Sequence, residues 1–110
     1  MIGERMKHKR TRALAIDPKV KSAVEARDSF GFPPHPCCVL CGCPSGRGEA
    51  HIVPRSQSGL GIEENLVTLC RACHRELDQG CNRTELMRQV KAYMHSAYPG
   101  WDESQLVYRK

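Results

Sequence analysis

Leu66-Val-Thr-Leu-Cys70-Arg-Ala-Cys73-His74, taken with Cys38-Val-Leu-Cys41-Gly42 upstream, decides what this chain can fold into. A two-residue gap lets one turn present two sulfurs to one ion. Two such turns complete a tetrahedron at a Zn–S distance of about 2.3 Å. Cys38, Cys41, Cys70 and Cys73 are therefore the expected ligands of one zinc ion. Cys37 and Cys43 compete for ligand roles, because Cys41-x-Cys43 is also a workable spacing, but the Cys-x2-Cys-Gly turn favours Cys38 and Cys41. Cys81 stays unassigned. The 28 residues from 42 to 69 exceed the insert of compact zinc motifs, so they must form a structured unit of their own. Four cysteines leave the ion no open position, which makes this zinc structural, not catalytic.

Composition agrees with a need for such a staple. A chain of 110 residues has room for one small domain and removes only about 60–65% of its unfolded surface from water. Aromatic residues make up 5% of it, so few large side chains are available to a core. No run of 18 apolar residues is present, which excludes a membrane-spanning helix. Residues 1–12 are basic and polar without the apolar stretch of a secretory signal. That points to a cytoplasmic, reducing compartment, where seven cysteines favour a metal over disulfides.

The formal net charge is +5, and it is unevenly spread. Arg5, Lys7, Lys9, Arg10 and Arg12 face only Glu4 within residues 1–12. Residues 1–16 are expected to form a basic, flexible arm whose natural counterpart is a polyanion, most often nucleic acid. Four thiolates and one Zn²⁺ bring the loaded protein close to +3, still cationic.

Residues 17–80 hold the expected core and residues 81–110 a C-terminal helix and tail packed on it. Asp17-Pro18 starts a helix, with Asp as N-cap and Pro at the first helical position. Residues 29–36 are too rich in Pro and Gly to continue it and read as a connector. Glu49–Pro54 and Leu66–Leu69 are predicted strands, able to pair as a hairpin with a long loop. A helix is expected over Arg71–Gln79 with Gly80 as its stop. Asn82-Arg-Thr-Glu85 looks like a capping box for a last helix. Trp101, Leu106 and Tyr108 are placed to fold the tail back.

A second constellation lies among the cysteines. His74 directly follows Cys73, so the zinc fixes the start of the helix that carries it. Asp78 is four residues on, on the same helix face, and the two can ligate one divalent ion. His51 sits on the first predicted strand, and an imidazole near neutrality suits general-base work on water. Arg47, Arg55, Arg71 and Arg75 are candidate phosphate contacts, Arg55 first among them because it follows the strand directly. No helix with clear base-reading side chains is evident, so sequence specificity is expected to be weak.

His51-Ile-Val-Pro-Arg-Ser56, then Asn65-Leu-Val-Thr-Leu-Cys70, then Cys73-His74 resembles the HNH endonuclease family. The gap from Asn65 to His74 is that family's spacing, and the likeness extends over about residues 17–80. The stretch Tyr98-Pro-Gly-Trp-Asp-Glu-Ser-Gln-Leu-Val-Tyr108 is similar to a tail of small phage-associated members. The resemblance implies an α+β fold: a small ββα-metal (His-Me finger) domain, with the four-cysteine zinc site and flanking helices added. It implies a metal-dependent endonuclease that nicks or cuts DNA, double-stranded by expectation, as a monomer or homodimer. A larger phage or recombination protein is an implied partner. By the same resemblance His51 is the general base and His74 a ligand of the catalytic metal, Mg²⁺ or another divalent ion. Asp78 stands where many members have a second helical His. Asn65 either fixes the loop that holds His51 or joins the metal site. The residue before the base, often a His or Asp ligand, is here Ala50, which cannot bind. Glu49 is the substitute if a bulge or turn at Gly48 brings it in. Ala50 also supports an alternative, a non-catalytic zinc module that binds nucleic acid or protein.

Overall fold

The computed structural model describes residues 9–108. In chain order its elements are α1 (Lys9–Leu14), α2 (Pro18–Arg27), the short strands β1 (Ser29–Phe30) and β2 (His35–Pro36), β3 (Arg47–His51), β4 (Leu66–Leu69), α3 (Arg71–Gln79) and α4 (Arg83–Ala97). Single 3-10 turns occupy Arg55–Gln57, Glu63–Asn65 and Glu103–Gln105. The fold is α+β, with β3, β4 and α3 forming a ββα unit at its centre. Among the described residues no helix is long and apolar enough to cross a membrane.

The N-terminus of α2 forms as its sequence dictates: the Asp17 carboxylate accepts from the Lys19 N–H at 2.7 Å, and Pro18 needs no partner. α2 lies against the β3–β4 pair. β3 and β4 are antiparallel, with Ala50 opposite Val67, His51 opposite Leu66, and an irregularity in register between Arg47 and Ala50. All four residues of β4 are buried, because elements cover both its faces. Leu77 of α3 and Val90 and Met94 of α4 join Ala50, Ile52, Val67 and Leu69 in one core. Burying each large apolar side chain of this kind contributes on the order of 1.5–3 kcal/mol.

One guanidinium joins the layers. Arg27, at the end of α2, donates to Asp28 at 2.7 and 2.9 Å, to the Leu66 carbonyl at 2.7 Å and to the Glu63 carbonyl at 2.9 Å. It also reaches the Tyr98 hydroxyl at 3.2 Å, and its plane sits over the rings of Tyr93 and Tyr98. Asp28 in turn accepts from the Thr68 N–H at 2.9 Å and from the Tyr93 hydroxyl. A buried carboxylate and a half-buried guanidinium are thus paired with each other and with neighbouring polar groups, the condition under which such an ion pair is tolerated.

Four local expectations change. Residues 1–8 of the expected flexible arm lie outside the described residues, whereas 9–14 form α1 and Leu14 is buried. The Gly61 N–H donates to the Ala13 carbonyl at 2.9 Å. Only a glycine allows this approach, since a Cβ at 61 would stand 2.1 Å from the Ala15 carbonyl oxygen. The first strand runs Arg47–His51, not Glu49–Pro54, because at Val53 the Asn65 side chain replaces the ladder. The expected capping box is absent: Asn82 makes no cap bond, and Glu85 binds Arg88 and Gln89 instead. The connector at 29–36 contains the two-residue hairpin β1–β2, which its Pro and Gly content concealed. Gly80 does end α3 as expected, but at φ −82°, so its glycine answers crowding rather than handedness: a Cβ would lie 2.6 Å from the Glu76 carbonyl oxygen.

The C-terminal segment folds back on the loop before β4. The Leu60 N–H donates to the Leu106 carbonyl and the Tyr108 N–H to the Ser58 carbonyl, both at 2.8 Å. Trp101 Nε1–H donates to the Glu64 carbonyl at 2.7 Å.

Candidate active site and metal centre

The sulfurs of Cys38, Cys41, Cys70 and Cys73 all lie within 4.8 Å of one another. Cys41 Sγ and Cys70 Sγ are 3.7 Å apart, close to the roughly 3.8 Å edge of a tetrahedron with ~2.3 Å Zn–S bonds. Each Cys-x2-Cys turn aims a backbone amide at its own first sulfur: Cys41 N–H at Cys38 (3.5 Å) and Cys73 N–H at Cys70 (3.4 Å). This cluster can hold a metal ion, and four thiols suit zinc. Cys37 and Cys43, the rivals, stand outside it.

Proton competition among the sulfurs supports that use. Burial pushes the Cys38 thiol up, but amides of Cys41, Cys70 and Leu40 outweigh it and bring it down to about 7. At Cys41 the Cys43 amide acts downward, yet burial and the neighbouring sulfurs push the group up to about 11. Burial and the same sulfurs raise Cys73 further. Sulfurs this close cannot all ionise unless a cation takes the place of their protons.

Cys70 caps α3, so the four-cysteine cluster sits at the start of the helix that presents His74. His74 Nε2 and Asp78 Oδ2 are 3.4 Å apart, one turn along that helix. On the facing strand Arg47 and Glu49 are exposed while Gly48 and Ala50 are buried. His51, two residues after Glu49, shares its face. Glu49, His51, His74 and Asp78 thus line one cavity of about 620 Å³, together with Arg55 and Arg83. In-and-out alternation persists through the register irregularity of β3, turning Ala50 into the core and Glu49 outward. Ala50 is 1% exposed and takes no part. Glu49 also stands 4.0 Å from Lys21 of α2.

His51 is half-buried, and its Nε2 is buried without a hydrogen-bond partner among the described residues. Burial depresses its pKa, the Leu14 backbone opposes this, and the nearby Arg55 and His74 side chains add to the depression. The ring is therefore held neutral, the form that can accept a proton.

Asn65 is fully buried, and its side-chain bonds are directed at the segment after β3. Its Oδ1 accepts from the Val53 N–H at 2.8 Å, and its Nδ2 donates to the carbonyls of Val53 (3.1 Å) and Leu60 (2.8 Å). These bonds tie it to the loop beside His51, and it does not line the cavity with the catalytic candidates.

Arg47, Arg71 and Arg75 line an adjoining cavity of about 520 Å³ that shares Glu49, His74 and Asp78 with the first. Ile16 and Arg83 also line the first, and no motif in the sequence pointed to either.

An HNH endonuclease family model matches residues 38–80. The match begins at the first zinc-ligand candidate and ends one residue past α3, so it spans the ββα unit and both cysteine pairs. This segment is thus similar to the HNH endonuclease type, with four cysteines positioned to bind a metal ion beside the ββα unit. No curated protein matches the chain.

Proposed function

We propose that this protein is a metal-dependent endonuclease that hydrolyses DNA phosphodiester bonds, nicking duplex DNA with little sequence preference. One observation carries the reading: Glu49, His51, His74 and Asp78 face a single cavity whose helix wall starts at the four-cysteine centre. His51 takes a proton from the attacking water. Its neutral ring suits that step, and Asn65 keeps the following loop, and so the ring, in place. His74, Asp78 and Glu49 offer one imidazole nitrogen and two carboxylates, a donor set that suits Mg²⁺ or another divalent ion. Such an ion supplies Lewis-acid stabilisation of the charge that develops on the phosphate and leaving oxygen. Arg55, Arg47, Arg71 and Arg75 hold backbone phosphates near the site. The zinc has a structural role at Cys38, Cys41, Cys70 and Cys73.

Supercoiled plasmid and purified zinc-loaded protein test this directly, with Mg²⁺, Mn²⁺ or Ni²⁺ added singly. Conversion to open circle that requires the metal and disappears in His51→Ala is expected. A folded, zinc-loaded protein that leaves the plasmid supercoiled under every metal sinks the nuclease reading. The buried methyl of Ala50, where many HNH members carry a ligand, favours one second reading: a binding module that retains DNA and never cuts it.

A further inference from the structure

We propose that the nucleic-acid path continues past the candidate active site onto the start of α4, where Arg83 grips a backbone phosphate. The inference rests on the nucleic-acid reading above but not on cleavage itself. Three cavities share walls. The one with Arg47, Arg71 and Arg75 joins the central one through Glu49, His74 and Asp78. The central one joins a third, of about 510 Å³, through Pro54 and Arg83. One concave track therefore runs across the His51 site, with arginines at both ends.

On the α4 side the charges are not equivalent. Arg88 is neutralised by Glu85 at 2.5 Å, and Lys91 by Glu103 at 3.0 Å. Arg83 lies in the wall common to both cavities, is exposed, and forms no ion pair among the described residues. It also occupies the first position of α4, where the helix dipole disfavours a cation. A residue that opposes local electrostatics and faces a groove is expected to answer to a ligand. A guanidinium there matches a phosphate, which it can hold through two N–H donors. Phosphate contact positions the duplex without reading its sequence. The site is then straddled: Arg47, Arg71 and Arg75 hold one flank, Arg83 the other.

The test uses the full zinc-loaded chain in a His51→Ala background, so that DNA persists, and labelled duplexes of two unrelated sequences read by fluorescence anisotropy. Arg83→Gln is expected to weaken binding about two- to fivefold on both sequences. The slope of log affinity against log salt should fall by about 0.9. Arg83→Lys should recover most of the affinity, and zinc content and far-UV circular dichroism should be unchanged. Arg88→Gln, which removes a charge already paired, should weaken binding less than about twofold. Equal effects of Arg83→Gln and Arg88→Gln, or an unchanged salt slope for Arg83→Gln, overturn the proposal. Plasmid nicking by the parent is scored beside it. Nicking with an Arg83→Gln variant indistinguishable from the parent overturns the Arg83 assignment alone. A reduced salt slope without nicking overturns the nuclease reading alone. No DNA binding by the parent overturns both.

Discussion

His51 and Asn65 stand in opposite settings: the His51 ring lines the cavity, whereas the Asn65 side chain is bonded into the loop behind it. Asn65 makes three bonds from a side chain with 0% exposure, so its loss leaves the Val53 N–H and two carbonyls unpaired. Asn65→Ala is expected to cost about 1–3 kcal/mol in urea denaturation and to depress nicking while the chain still binds one zinc. His51→Ala should lose nicking with stability changed far less, since the ring buries an unpartnered nitrogen. If Asn65→Ala nicks at the parental rate, the loop does not depend on the amide. Asp28 is the other residue on which much depends. Burial would raise its carboxyl pKa, but the Arg27 and Tyr93 hydrogen bonds prevail and hold it below the ordinary 3.8. Asp28→Ala strands a buried guanidinium and is expected to cost about 3–5 kcal/mol. A folded pKa below the unfolded one contributes stability that is fully present above 3.8 and lost as pH falls through the folded value. The gap between parent and Asp28→Ala should therefore hold from pH 7 down to about 4 and narrow only below that.

The elements divide by how local their causes are. β4 and α3 were legible in the sequence because a continuous apolar run and a Cys-x2-Cys-capped amphipathic stretch define them locally. The four-cysteine cluster was legible for the same reason: pairwise spacing is a property of one turn. The face of Glu49 was legible too, through simple alternation with His51 along the strand. What escaped was set by partners far away in the chain. The β3 end moved because a side chain from residue 65 displaces the ladder, and Asn82 fails as a cap although its sequence is right. α1 was hidden because its docking depends on Gly61, far along the chain. Gly61→Ala should push the 13–16 segment off, since its Cβ would meet the Ala15 carbonyl at 2.1 Å. Limited trypsin digestion should then cut after Arg12 faster than in the parent. Unchanged protection there removes the close approach as the anchor.

For the whole molecule, the four-cysteine cluster and the Arg27–Asp28 pair are two ties on one small core, and neither substitutes for the other. The four-cysteine cluster joins residues 38–41 to the β4–α3 corner, while Arg27 joins α2 to β4 and to Tyr93 and Tyr98 of the C-terminal third. Stripping zinc with a strong chelator, or Cys70→Ser, is expected to unfold the domain or lower its melting temperature sharply, with one zinc per chain in the intact protein. Retention of the far-UV spectrum and melting temperature after complete zinc removal would contradict that. A third tie has a practical side. The chain has a single tryptophan, Trp101, 7% exposed, set edge-on to His95 at 5.0 Å and bonded through its indole N–H to the carbonyl of Glu64, next to Asn65. The protein thereby carries its single tryptophan fluorophore at the seam between its C-terminal segment and the turn beside the site. Its emission can report, without any label, when that seam opens during zinc removal, acid titration or DNA binding.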